Sequence, residues 1–99
     1  MFYLNSVNEE KQLILFIEGR LNSFEEIEKI VSETLSSNNN DKTLVIDLSK
    51  TDSINEKCLK AFQQLGLNHK LEFRNYSLYI GTLLNDYDLI KINSDSNEL

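Results

Sequence analysis

The order of hydrophobic patterns along these 99 residues predicts an α/β fold. It is a mixed β-sheet, opened by an antiparallel hairpin and continued by parallel strands, with helices packed on it. Three observations carry this reading. Two apolar stretches, Met1–Val7 and Gln12–Glu18, flank a short polar turn, Asn8-Glu9-Glu10-Lys11, which is a hairpin signal. Between Phe24 and Leu35 the apolar period changes to three and four, as on one face of a helix. A continuous apolar strand, Lys42–Leu48, then leads through a polar loop into a second amphipathic helix.

Met1–Val7 alternates loosely and reads as an edge strand, with the strongly apolar Gln12–Glu18 as its partner. Gly19-Arg20-Leu21-Asn22-Ser23 ends that strand. Phe24, Ile27, Ile30, Val31 and Leu35 then share one helical face, and Ser23 with Glu26 fits a capping box. Ser36–Asp41 is a polar surface connector. Lys42–Leu48 has the composition of a strand covered by helices on both faces. From Glu56 a second helix turns Leu59, Phe62 and Leu65 inward, and its end is blurred by Gly66, Leu67, Leu71 and Phe73. Ser77–Gly81 reads as a short strand, Leu83–Asp88 as one or two helical turns, and Leu89–Ile92 as a last short strand. Asn93–Leu99 is a polar tail, so residues 1–92 are read as one domain without internal repeats.

Composition narrows the function classes. The longest apolar run, Leu13–Ile17, has five residues, far below the roughly 18 that a membrane span needs. Ten Lys and Arg against 16 Asp and Glu give a net charge of −6, which disfavours both nucleic acid and anionic lipid as partners. The single cysteine cannot form an internal disulfide, and the N-terminus has no basic region of a secretory signal. A cytoplasmic location is expected.

Catalytic constellations are sparse. His69 is the only histidine and stands late in the second helix beside Lys70, where an exposed side chain is expected. Cys58 lies in the first turn of that helix, a place that can lower a thiol pKa, but no base accompanies it. Asp86 and Asp88 lack calcium-loop spacing, and three glycines make no phosphate-binding loop. A non-enzymatic protein without metal or cofactor is expected.

Two starts compete for the second helix. Ser53 with Glu56 matches a capping box. Asn55 is also a good N-cap, and Ile54 with Leu59 would then form a hydrophobic staple, which favours this start. Under either choice Glu56 falls in the first turn, where a carboxylate gains about 0.3–1 kcal/mol from the helix dipole.

The strand Leu44-Val45-Ile46-Asp47-Leu48-Ser49, followed by Ile54-Asn55-Glu56-Lys57-Cys58-Leu59, resembles the core of a STAS domain of the anti-sigma factor antagonist family. Glu18-Gly19-Arg20-Leu21-Asn22 is similar to that family's Gly-x-Leu-Asp loop. Leu59, Ala61, Phe62 and Leu65 fall at its buried helical positions, and Leu83-Leu84 with Leu89–Ile92 resembles its closing segment. The resemblance implies a protein partner, an anti-sigma factor with serine kinase activity, docked through Ser53–Cys58 and the facing loop at Asn22 and Ser23. It also locates the departures. The family's phosphorylated Ser is replaced by Glu56, the preceding Asp by Asn55 and the following Gly by Cys58, and the C-terminal helices are shortened. Glu56 supplies one negative charge where phosphoserine carries about −1.5 to −2, and Lys57 beside it offsets that charge. Ser53, next to Asp52, is an alternative phosphosite only with a three-residue gap. Two other roles stay open: a STAS-type subunit of a larger assembly such as a lipid-transport ATPase, and a binder of nucleotides or other small ligands.

Overall fold

The computed structural model describes residues 2–35 and 42–91. The described chain runs β1 (Phe2–Asn8), β2 (Gln12–Leu21), α1 (Glu25–Leu35), β3 (Thr43–Ile54), α2 (Glu56–Leu65), β4 (Lys70–Arg74) and α3 (Leu78–Asp86). The strands lie side by side in chain order, β1 antiparallel to β2 and β2, β3 and β4 mutually parallel. This is the mixed sheet that the sequence predicts.

Alternation along each strand divides its side chains between two faces. Leu13, Leu15 and Ile17 of β2, Leu44, Ile46 and Leu48 of β3, and Phe73 of β4 are buried in one core. The helices add Ile27, Val31 and Leu35, then Cys58, Leu59 and Phe62, then Ile80 and Leu84. Phe62 stands at the centre. Its ring meets Phe24 edge-on at 4.8 Å and Phe73 at 5.3 Å, the favoured geometry for aromatic pairs.

Tyr3, Val7, Ile14, Phe16 and Val45 occupy the other face and lie outside this core. The expectation of helices on both faces of β3 is therefore corrected: among the described residues, the helices bury their apolar sides in one cluster. Val45 is buried on the second face, in register between Ile14 of β2 and Glu72 of β4. A central strand has neighbours on both sides, so an apolar run there does not require two helical layers.

The last third of the chain differs most from expectation. The fourth strand is Lys70–Arg74, not Ser77–Gly81. Leu71 and Phe73 alternate with Lys70, Glu72 and Arg74, a two-residue period hidden behind the end of α2. Ser77 instead caps α3 by accepting a hydrogen bond from the Ile80 N–H at 3.2 Å, and Ile80 and Leu84 then share its buried face. Leu89 belongs to no strand; its N–H donates to the Leu84 carbonyl at 2.9 Å and closes the end of that helix. Ile92, the polar tail, Met1 and the connector Ser36–Asp41 lie outside the described residues.

Two further corrections concern the first helix and the third strand. The Ser23–Glu26 capping box does not form. The residue preceding α1 is Phe24, fixed by its ring contact with Phe62, and its carbonyl accepts from the Glu28 N–H at 3.0 Å. β3 continues beyond Leu48 to Ile54 because it bulges twice against β2. Phe16 pairs with Asp47 but Glu18 with Lys50, and Gly19 with Thr51 but Arg20 with Ser53. At the first bulge the buried Thr51 hydroxyl donates to the Ile17 carbonyl at 2.6 Å. At the second, Gly19 has φ 97°, a conformation that side-chain-bearing residues rarely adopt.

Candidate partner-binding site at the start of the second helix

Parallel pairing places the ends of β2 and β3 side by side, with Leu21 opposite Ile54. The loops that follow must therefore emerge together. Asn55 ties them. Its N–H donates to the Leu21 carbonyl at 3.1 Å, and its side-chain amide donates to the Asn22 carbonyl at 3.4 Å. Its Oδ1 accepts from the Cys58 N–H at 2.9 Å, which makes it the N-cap of α2. Of the two competing starts, the one that the staple favours is formed. Ile54 and Leu59, the staple pair, are both buried in the core.

The structure brings Asn22, Ser23, Asn55, Glu56 and Lys57 together as exposed residues on adjoining loops. Glu56 is the first residue of α2 and pairs with Lys60 one turn on, at 3.3 Å. The pair is solvent-exposed and held in the helical i, i+4 spacing, so it stabilises little and leaves the carboxylate accessible. Lys60, not Lys57, is the cation in contact with Glu56.

Cys58 and Ser53 differ from their expected settings. The Cys58 side chain is buried in the core, and burial pushes its thiol above the usual range, opposite to the lowering expected of a helix start. It packs into the core beneath the exposed residues of the helix start. Ser53 is half-buried near the end of strand β3, opposite Arg20, two residues before the helix cap.

One residue that the sequence did not single out as a site is organised by the fold. Asp47 is 9% exposed on the second face of β3. Burial alone would raise its pKa, but the Ser49 N–H at 3.0 Å, the Ser49 hydroxyl, the Asn75 amide at 2.8 Å and the Arg74 charge together hold it below the ordinary carboxylate range. Asn75 reaches it by adopting φ 60° just after β4, and asparagine is among the residues that tolerate that conformation. The only sequence signal was an Asp inside an apolar strand.

A surface hollow of about 430 Å³ lies at the other end of α2, lined by Gln63, Leu67, His69, Lys70, Tyr87 and Asp88 among others. His69 stands there half-buried in the turn before β4, beyond the helix in which it was expected. Among the described residues no three side chains of the metal-ligating types cluster, and no helix is long and apolar enough to cross a membrane.

No protein-family model and no curated protein matches the chain. Several solved structures are similar to it. One is an anti-sigma-factor antagonist, a STAS domain from Rhodobacter sphaeroides, with 16% identity, a TM-score of 0.47, and coverage of 75% of this chain and 86% of that one. Another is a protein of the DUF3478 family from Shewanella loihica PV-4 with a SpoIIAA-like fold. It is 11% identical with a TM-score of 0.58, and the match covers 98% of this chain and 91% of that one. The strand order, the hairpin followed by parallel strands, and the near-complete coverage of the Shewanella structure agree: the chain has a SpoIIAA-like fold.

Proposed function

We propose that this protein is a non-enzymatic interaction module of the anti-sigma factor antagonist type, which docks a protein partner through Asn22, Ser23, Asn55, Glu56 and Lys57. One observation supports this above the rest: Asn55 bonds both loops and the helix start into one exposed, fixed surface. A surface held by backbone hydrogen bonds loses little entropy when a partner binds. The partner is an anti-sigma factor with serine kinase activity, carried over from the resemblance around Ile54–Leu59.

In this reading the usual phosphoswitch is absent. In the family that the chain resembles, the phosphorylated form releases its kinase partner; Glu56 holds a fixed charge at the helix start that mimics this state in part, so binding is weakened relative to a serine and is not cycled. The Glu56→Ser variant tests it. Tagged wild-type and variant proteins are used to capture partners from host lysate, and the affinity of the captured protein is then measured. The expected result is a histidine-kinase-like ATPase or sigma regulator that binds the serine variant more tightly. A variant that is neither phosphorylated nor altered in affinity would overturn the switch-derived account. Capture of transport-complex subunits in place of a kinase would favour a scaffold role. A rise in melting temperature with nucleotide would favour a ligand binder.

A further inference from the structure

Among the described residues the sheet has β1 and β4 at its edges, and the two are protected unequally. β4 is five residues long and carries Lys70, Glu72 and Arg74, with an ion pair between the last two at 2.6 Å. Short length and charge are the devices that stop edge strands from pairing with other chains. β1 has neither. Its seven residues, Phe-Tyr-Leu-Asn-Ser-Val-Asn, include no charge and no proline in a chain of net charge −6. Its register with β2 runs without a bulge from Phe2 to Asn8.

The hairpin fixes which backbone groups face outward. The Glu9 N–H donates to the Gln12 carbonyl at 2.8 Å, which makes those two a hydrogen-bonded pair. Bonded and non-bonded pairs alternate in an antiparallel ladder, so Val7, Asn5 and Tyr3 bond to β2. The N–H and C=O groups of Phe2, Leu4, Ser6 and Asn8 therefore point away from the sheet.

We propose that β1 is a self-association edge, at which a second copy of this chain adds its own β1 antiparallel about a twofold axis at Asn5. That register is self-consistent. Phe2 faces Asn8 of the second copy and Leu4 faces Ser6, so the outward groups of both strands are matched in about eight hydrogen bonds. Tyr3 faces Val7 of the second copy in the close, non-hydrogen-bonded position, an aromatic and β-branched pair of the kind that stabilises sheets. Both side chains are exposed in the single chain, Tyr3 at 66% and Val7 at 43%. The neutrality of the strand lets two acidic molecules meet where neither carries charge. A one-strand contact is small among specific interfaces, so the dimer is weak and strengthens with salt, which screens the remaining repulsion.

Sedimentation equilibrium of the full chain from about 1 µM to about 1 mM reads the association. The expected result is a monomer–dimer equilibrium. Ser6→Pro removes an outward donor without touching the ladder to β2, and it should abolish dimers while the circular dichroism stays native. Asn5→Lys and Asn5→Glu each place like charges face to face on the axis, and each should weaken the dimer about fivefold or more. Mixing the two should restore it as a heterodimer. Wild-type protein that stays monomeric throughout overturns the proposal and leaves the edge to an extended segment of a different protein. A dimer indifferent to Ser6→Pro and to both Asn5 variants overturns it equally, by placing the contact elsewhere.

Discussion

The helix-covered face of the sheet and its opposite face are made from the same four strands but are held by different chemistry. On the covered face, Leu13, Leu15, Ile17, Leu44, Ile46, Leu48 and Phe73 meet three helices in one apolar cluster. On the other face, Val45 and the half-buried Ile14 neighbour a polar network of Asp47, Ser49, Asn75 and Arg74, with Phe16, Tyr3 and Val7 exposed. Burial of apolar area is non-directional and supplies most of the stability. Hydrogen bonds are directional and contribute less to the total, but they fix where a strand end and the loop after it are placed. The covered face should thus decide whether the chain folds, and the other face how its strand ends are set.

The largest test of that division compares two phenylalanines. Phe62→Ala, at 0% exposure and in contact with two rings, is expected to cost about 3–5 kcal/mol, a large share of the stability of a domain this size. Phe16→Thr, on the other face at 39% exposure, is expected to cost about 1 kcal/mol or less. Urea midpoints at unchanged m-value measure both. Equal losses would break the distinction between the faces.

Next in size is Asp47→Ala, which leaves the Ser49 N–H and the Asn75 amide without their acceptor, at an expected cost of about 1–3 kcal/mol. The pH dependence gives this a sign. Because the folded-state pKa is lowered, the carboxylate adds stability above its unfolded pKa, and that stability is lost as pH falls through the folded value. Wild-type stability should therefore fall more steeply than the variant's in acid, from about pH 4 downward. Parallel curves would mean that the network does not stabilise the charge.

The smallest effect sharpens the contrast within the helical layer. Asn55→Ala removes the cap of α2 and the bond to Asn22, and should cost about 1 kcal/mol. If Asn55 also fixes the docking surface, partner affinity should fall by more than the stability loss explains. Loss of stability alone would reduce Asn55 to a cap.

The sequence by itself was enough for the hairpin, the first two helices, the central strand and the start of α2. Each rests on local information: a polar turn between apolar runs, a three-to-four period, or an asparagine flanked by a staple pair. The resemblance named Asn22, Ser23, Ser53, Asn55, Glu56, Lys57 and Cys58 as one candidate surface; parallel strands deliver their following loops to the same end of a sheet, and five of these residues are exposed there while Ser53 is half-buried and Cys58 buried. What required the tertiary structure was everything set by contacts distant in the chain. Lys70–Arg74 is a strand because β3 lies beside it, and Ser77 was thereby released to cap a helix. The extension of β3 depends on Thr51 reaching Ile17, 34 residues earlier. Cys58 stands in the linear sequence at a helix start, a place that can lower a thiol pKa, and is a core residue in the fold. Glu56 looks neutralised by the lysine beside it, yet on a helix the neighbour is the residue one turn on, Lys60. Local patterns specify local conformation; burial, and with it the pKa of each group, exists only once distant strands and helices have met.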